Sequence, residues 1–200
     1  MLRGTLSFVF AAFALVLVFA GPSFAQDDAM EGTVICVQVD EGGNVQTMTE
    51  FTECTGTIVM VGSEKAAAVV ATKEEKKRWI SLKGGKQTVG GQLEGHTRGY
   101  ILASSTALDE KGAKEASVSG ALVCLLPNYE AGSVKPVVAT GPCGEADPHL
   151  HVVTTGGGQV YAVHGSEESI GKLESLSDRS NVELKGQLKG SSGAWVLVVN

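Results

Sequence analysis

Local signatures of catalysis are missing from this chain. It has no Gly-x-Ser-x-Gly elbow, no His-Glu-x-x-His and no phosphate loop, the run Gly84-Gly85-Lys86-Gln87-Thr88 lacking the required spacing. A non-enzymatic protein is expected, although a triad assembled from distant residues leaves no local mark. Positive charge is scarce too: 16 Lys and Arg stand against 22 Asp and Glu, a formal net charge of −6, with 6% aromatics. Without a basic stripe to neutralise phosphates, nucleic acid is disfavoured as a partner. No Cys-x-x-Cys occurs, so a familiar means of lowering a thiol pKa is absent.

Long apolar runs are few. Phe8 to Ala20 is too short to cross a bilayer comfortably, which takes about 20 such residues. With Arg3 before it, and Gly21-Pro22 and the small-x-small Ser23-Phe24-Ala25 after it, the run reads as a signal peptide over residues 1–25. The first cysteine is Cys36, so no lipid anchor is expected at the cleavage site. A periplasmic or secreted protein, with no stable membrane insertion of the mature chain, is the resulting expectation.

What the chain does have is a repeat. Gly91-Gln92-Leu93-Glu94-Gly95, followed by Gly99-Tyr100-Ile101-Leu102, returns as Gly186-Gln187-Leu188-Lys189-Gly190, followed by Ala194-Trp195-Val196-Leu197. The halves also start alike, Gly32-Thr33-Val34-Ile35-Cys36-Val37 against Gly120-Ala121-Leu122-Val123-Cys124-Leu125. Both starts read as a first strand, and a polar, irregular stretch then leads to Cys54 or Cys143. Next come two hairpins, Ile58 to Val61 with Ala66 to Ala71, and Leu150 to Val153 with Gln159 to Val163. A helix follows each: Thr72 and Glu75 form a capping box opening Lys73 to Leu82, and Ser166 caps a segment starting Glu167-Glu168. Residues 26–105 and 118–200 are thus two domains, joined by a linker over 106–117. Strand, strand, strand, helix, strand, strand is the order of the five-stranded OB-fold barrel, here written twice.

This pattern resembles secreted bacterial OB-fold proteins, most of them of unknown function. It rests on the glycine-led first strand with its cysteine, the second cysteine, the hairpin, the short helix and the closing Gly-x-Leu-x-Gly strand pair. The likeness spans nearly the whole mature chain twice, but the second half has a long insertion between Pro127 and Pro148. It implies fold and compartment and transfers no catalytic residue.

Four cysteines allow three pairings. The repeat favours Cys36 with Cys54 and Cys124 with Cys143 as structural disulfides, each contributing about 3 kcal/mol in the chain-entropy account. Thiol redox chemistry or metal binding is the alternative. In the second half His149 and His151 share a strand face, and His164 ends the paired strand, so the three imidazoles could converge on one Cu or Zn ion. Ordinary solvent-facing histidines would give the same spacing. No other cofactor is implied.

The usual OB binding face selects Tyr129, Lys135, His149, His151 and Tyr161, with Ser191 and Ser192, and in the first half Thr52, Glu53, His96 and Arg98. Tyr100, Trp195 and Trp79 read as core. Lys73, Lys76, Lys77, Arg78, Lys83 and Lys86 read as a solvated helix face, with contact to anionic lipid or glycan as the alternative. The leading expectation is an exported binding or interaction module for a protein, glycan or small molecule of the envelope. The second is a Cu- or Zn-binding protein.

Overall fold

The computed structural model of the protein describes residues 28–81, 86–96, 99–103, 114–138, 141–144, 148–190 and 194–200. The expected signal peptide, linker residues 106–113, Lys83, Arg98, Ser191 and Ser192 lie outside them. The first half contains β1 (Asp28–Val39), β2 (Val45–Met48), β3 (Thr57–Val61), β4 (Ala66–Val70), α1 (Lys73–Ser81), β5 (Lys86–His96) and β6 (Gly99–Ala103). The second contains β7 (Lys114–Asn128), β8 (Ser133–Val138), β9 (Leu150–Thr154), β10 (Val160–Gly165), α2 (Glu167–Glu174), β11 (Val182–Lys189) and β12 (Val196–Val199).

Each half closes into a five-stranded barrel with a short helix. β1 pairs with β3, β3 with β4, β4 in parallel with β6, β6 with β5, and β5 returns to β1. The second ring runs β7, β9, β10, β12, β11 and back to β7, again with one parallel contact, between β10 and β12. This is the OB order expected, and the matching of the two rings fits a tandem duplication.

Closure depends on a first strand that serves two neighbours, and the repeated glycine marks where it changes partner. β1 pairs with β5 through residues 28–33 and with β3 through residues 33–37. β7 changes from β11 to β9 between Gly120 and Ala121. A Cβ on Gly32 would run into the Val61 carbonyl, and one on Gly120 into the Thr154 carbonyl. Only glycine admits so close a backbone. The closing hairpins need the other use of glycine, since Gly95 and Gly190 sit at φ of 121° and 91°.

Two expectations change. The stretches between the two cysteines of each half are not wholly irregular: β2 pairs with β1 over Val45 to Met48, and β8 with β7 over Ser133 to Val138. Once the first strand bends away from β5 or β11, its freed edge still carries backbone donors and acceptors, and the extra strand satisfies them. Residues 114–117 of the expected linker are the start of β7, held by β11.

The helices start as their sequences predict. Thr72 N–H donates to Glu75 Oε2 (2.8 Å) and Glu75 N–H to Thr72 Oγ1 (3.3 Å), the reciprocal capping box. Ser169 N–H donates to Ser166 Oγ at the second helix. Lys76 departs from the expected solvated face. It is buried, with Nζ donating to the Cys54 carbonyl, and desolvation lowers its pKa. Trp79 is buried in the first barrel core as expected, Tyr100 packs against that core while half-buried, and Trp195 is half-buried.

Side-chain alternation then separates two kinds of core. Val34, Cys36, Ile58 and Met60 point into the first barrel, whereas their neighbours Ile35, Val37, Val59 and Val61 point out of it. Those outward residues meet Val123, Leu125, Val134, Leu150 and Val152 from the second half. A further shared cluster joins Ala68, Val70, Ile101 and Ala103 to Ala162 and Val196. The barrels therefore pack on each other through apolar strand faces, which is why β3, β4 and β9 are buried at every position.

Candidate metal centre

Inside the second barrel, the same alternation points polar groups where the first barrel has apolar ones. In the first half Cys36 lies opposite Ile58, and in the second Cys124 lies opposite His151. Leu122 and Val153 line the core beside them, while Val123, Leu125, Leu150 and Val152 face the other barrel. His149 is two residues before His151 and shares its side. Cys143 arrives from segment 141–144, where its N–H donates to the Glu174 carbonyl at the end of α2 (2.7 Å). One ligand atom from each of Cys124, Cys143, His149 and His151 falls within 4.8 Å of every other.

The first pair of cysteines is a disulfide, Cys36–Cys54. The second pair is not: Cys124 and Cys143 carry free thiols, with Sγ atoms 2.9 Å apart, beyond the roughly 2.05 Å of a disulfide. Cys143 Sγ lies 3.2 Å from His149 Nε2. Arg179 is only 1% exposed; its Nη1 donates to Cys124 Sγ (2.8 Å) and its Nε to the Gly141 carbonyl (2.8 Å). The buried carboxylate of Glu174 places Oε1 3.6 Å from His149 Nε2 and 3.5 Å from His151 Nε2. Burial, with the neighbouring Cys143 thiol, pushes the Cys124 pKa up to about 12 against the pull of Arg179.

Two thiols and two imidazoles are a donor set that suits tetrahedral zinc, with bonds of about 2.0–2.3 Å. Such bonds set ligand atoms roughly 3.3–3.8 Å apart, and a span within 4.8 Å is of that order. The chemistry fits, and the spacing fits once the two sulfurs, 2.9 Å apart, separate by about 0.9 Å to take tetrahedral bonds.

The histidines are not solvent-facing, His149 being 3% and His151 1% exposed. His164 does not join them. Val163, not His164, is opposite His151, so His164 takes the other face of the strand. There it stacks on His96 of the first half, centroids 6.1 Å apart, and His96 Nε2 donates to the Gly165 carbonyl (2.8 Å). Burial lowers the His164 pKa first of all, with the charges of His96 and Lys189 adding and a hydrogen bond to the Gly99 backbone opposing.

Nor do the expected binding-face residues form one surface. Tyr129 and His149 line a cavity of about 120 Å³ between the halves, with Lys65, Tyr100 and Pro148. Lys135 is exposed on β8, and Tyr161 packs over the second core with its hydroxyl donating to Gln159 (2.7 Å). Thr52 and Glu53 are exposed. Sequence reasoning treated the cysteines and histidines as separate features and missed Glu174 and Arg179 altogether. The replacement of Ile58 by His151 opposite a matched cysteine was the available signal. The chain matches no protein-family model, no curated protein and no solved structure, so this centre is read from its own chemistry.

Proposed function

We propose that this is an exported, non-enzymatic metal-binding protein whose second barrel holds one divalent ion, zinc by preference, through Cys124, Cys143, His149 and His151. The observation that carries the reading is the convergence of those four ligand atoms within 4.8 Å inside a folded core. Charge selects the ion. Two thiolates, the Glu174 carboxylate and the Arg179 guanidinium leave a buried charge of −2 with neutral imidazoles, which a divalent cation cancels and a monovalent copper ion does not. Four protein ligands and burial favour a structural site over a catalytic one, which keeps a position open. Export is supported by the N-terminal sequence and by the Cys36–Cys54 disulfide, a bond that persists in oxidising compartments. The paired barrels themselves, resembling secreted OB-fold proteins, serve as an interaction module in the bacterial envelope.

Elemental analysis of reduced protein purified without chelators tests the metal. One equivalent of zinc per chain is expected, and Cys143→Ser and His149→Gln should each weaken its retention at least tenfold. Protein that is folded, reduced and unable to take up zinc or copper would reject the site.

A further inference from the structure

We propose that Cys124 and Cys143 are a dithiol–disulfide couple that exchanges with an external disulfide and thereby controls whether the second barrel retains its ion. The inference rests on the metal reading above and adds its regulation. Its first support is inside the molecule. Cys36 and Cys54, at the matching place of the first barrel and 18 residues apart, are bonded, whereas Cys124 and Cys143, 19 apart, are free with their sulfurs already in contact at 2.9 Å. One backbone framework thus accommodates the bonded and the unbonded pair.

The two second-barrel sulfurs also differ in the way an exchange reaction requires. Cys143 is partly exposed on a segment outside the strands, while Cys124 is fully buried behind it. Cys143 is the sulfur an incoming disulfide RSSR reaches first. His149 Nε2, 3.2 Å away, accepts its proton as Cys143 Sγ attacks, forming Cys143–S–S–R and expelling RS⁻, which takes the proton as RSH. Cys124 Sγ, held in place by Arg179 Nη1, then attacks Cys143 Sγ as its thiol proton passes to the departing sulfur, so that the Cys124–Cys143 bond forms and the second RS⁻ leaves as RSH. Two cysteine thiols have lost two electrons and RSSR has become two RSH. Where the sulfurs begin as thiolates on a cation, solvent supplies the two protons and the cation loses two of its four ligands. Cys36 and Cys54 are buried within the first core and stay outside the cycle.

The test uses reduced full-length protein loaded with zinc chloride, freed of excess metal and exposed to oxidised glutathione. Zinc release is followed with a chromogenic chelator, and the cross-link by peptide mapping. One equivalent of zinc should leave as the Cys124–Cys143 cross-link appears, and reductant should restore uptake while Cys36–Cys54 persists. Zinc that binds but stays, with no cross-link, overturns the exchange and leaves the metal reading standing. Reduced protein that never takes up zinc overturns the metal reading and the control with it. His151→Gln, keeping both thiols, should lose zinc affinity at least tenfold yet still cross-link. A folded His151→Gln that does not cross-link also overturns the exchange.

Discussion

At the scale of single residues, the second barrel depends on a guanidinium in its core. Arg179 connects three pieces of chain: its carbonyl accepts from Leu122 N–H (2.8 Å), its Nε holds the Gly141 carbonyl and its Nη1 reaches Cys124 Sγ. The planar fork makes the two side-chain bonds from two nitrogens held in one plane, a geometry that the single nitrogen of an ammonium lacks. Arg179→Lys should keep the fold and the charge yet lose one of those bonds, loosening segment 141–144 and with it Cys143. Zinc affinity, measured by competition with a chelating dye, is expected to fall about tenfold, as when other outer partners of metal ligands are changed.

Between elements, the stacking of His96 at the end of β5 on His164 of β10, across the two halves, carries a pH dependence. His164 lies half-buried beside His96, and desolvation holds its folded pKa below the ordinary histidine value of 6.5. The unfolded chain therefore binds the proton more readily than the folded one between those two values. Stability from this group is intact above about pH 6.5 and declines as the pH falls toward the folded value. His164→Gln should flatten that decline, read as the urea midpoint between pH 7 and pH 5. An unchanged slope would reject the assignment. At the same scale, the first strands show how repetition transmits geometry: Gly32 and Gly120 place the bend, and β2 and β8 take the edge the bend exposes.

For the molecule as a whole, the shared apolar face is decisive. Ile35, Val37, Val59 and Val61 are buried only because Val123, Leu125, Leu150 and Val152 cover them. A single barrel would present those residues to water, a contiguous apolar patch that soluble monomers avoid. Both halves should unfold in one transition, with coincident signals from Trp79 of the first and Trp195 of the second. Residues 118–200 expressed alone should aggregate or dimerise, as seen by light scattering. Two separated transitions would show that the barrels stand independently.

Strand order, the helix at its fixed place, both helix caps and the Cys36–Cys54 bridge were legible in the sequence, because each rests on neighbours a few residues apart or on a repeat that can be laid over itself. The packing of the barrels was not. An unbroken run such as Thr57–Val61 tells that both faces are buried without telling what covers the second one. The candidate metal centre was half legible. His149 and His151 shared a face by their spacing, but His164 was assigned to them from chain proximity, and strand register turned it away. Cys143, Glu174 and Arg179 come from a loop, a helix end and the turn beyond it. Their meeting with Cys124 and His151 follows from barrel closure, which brings distant segments to one point, and only the tertiary structure decides that.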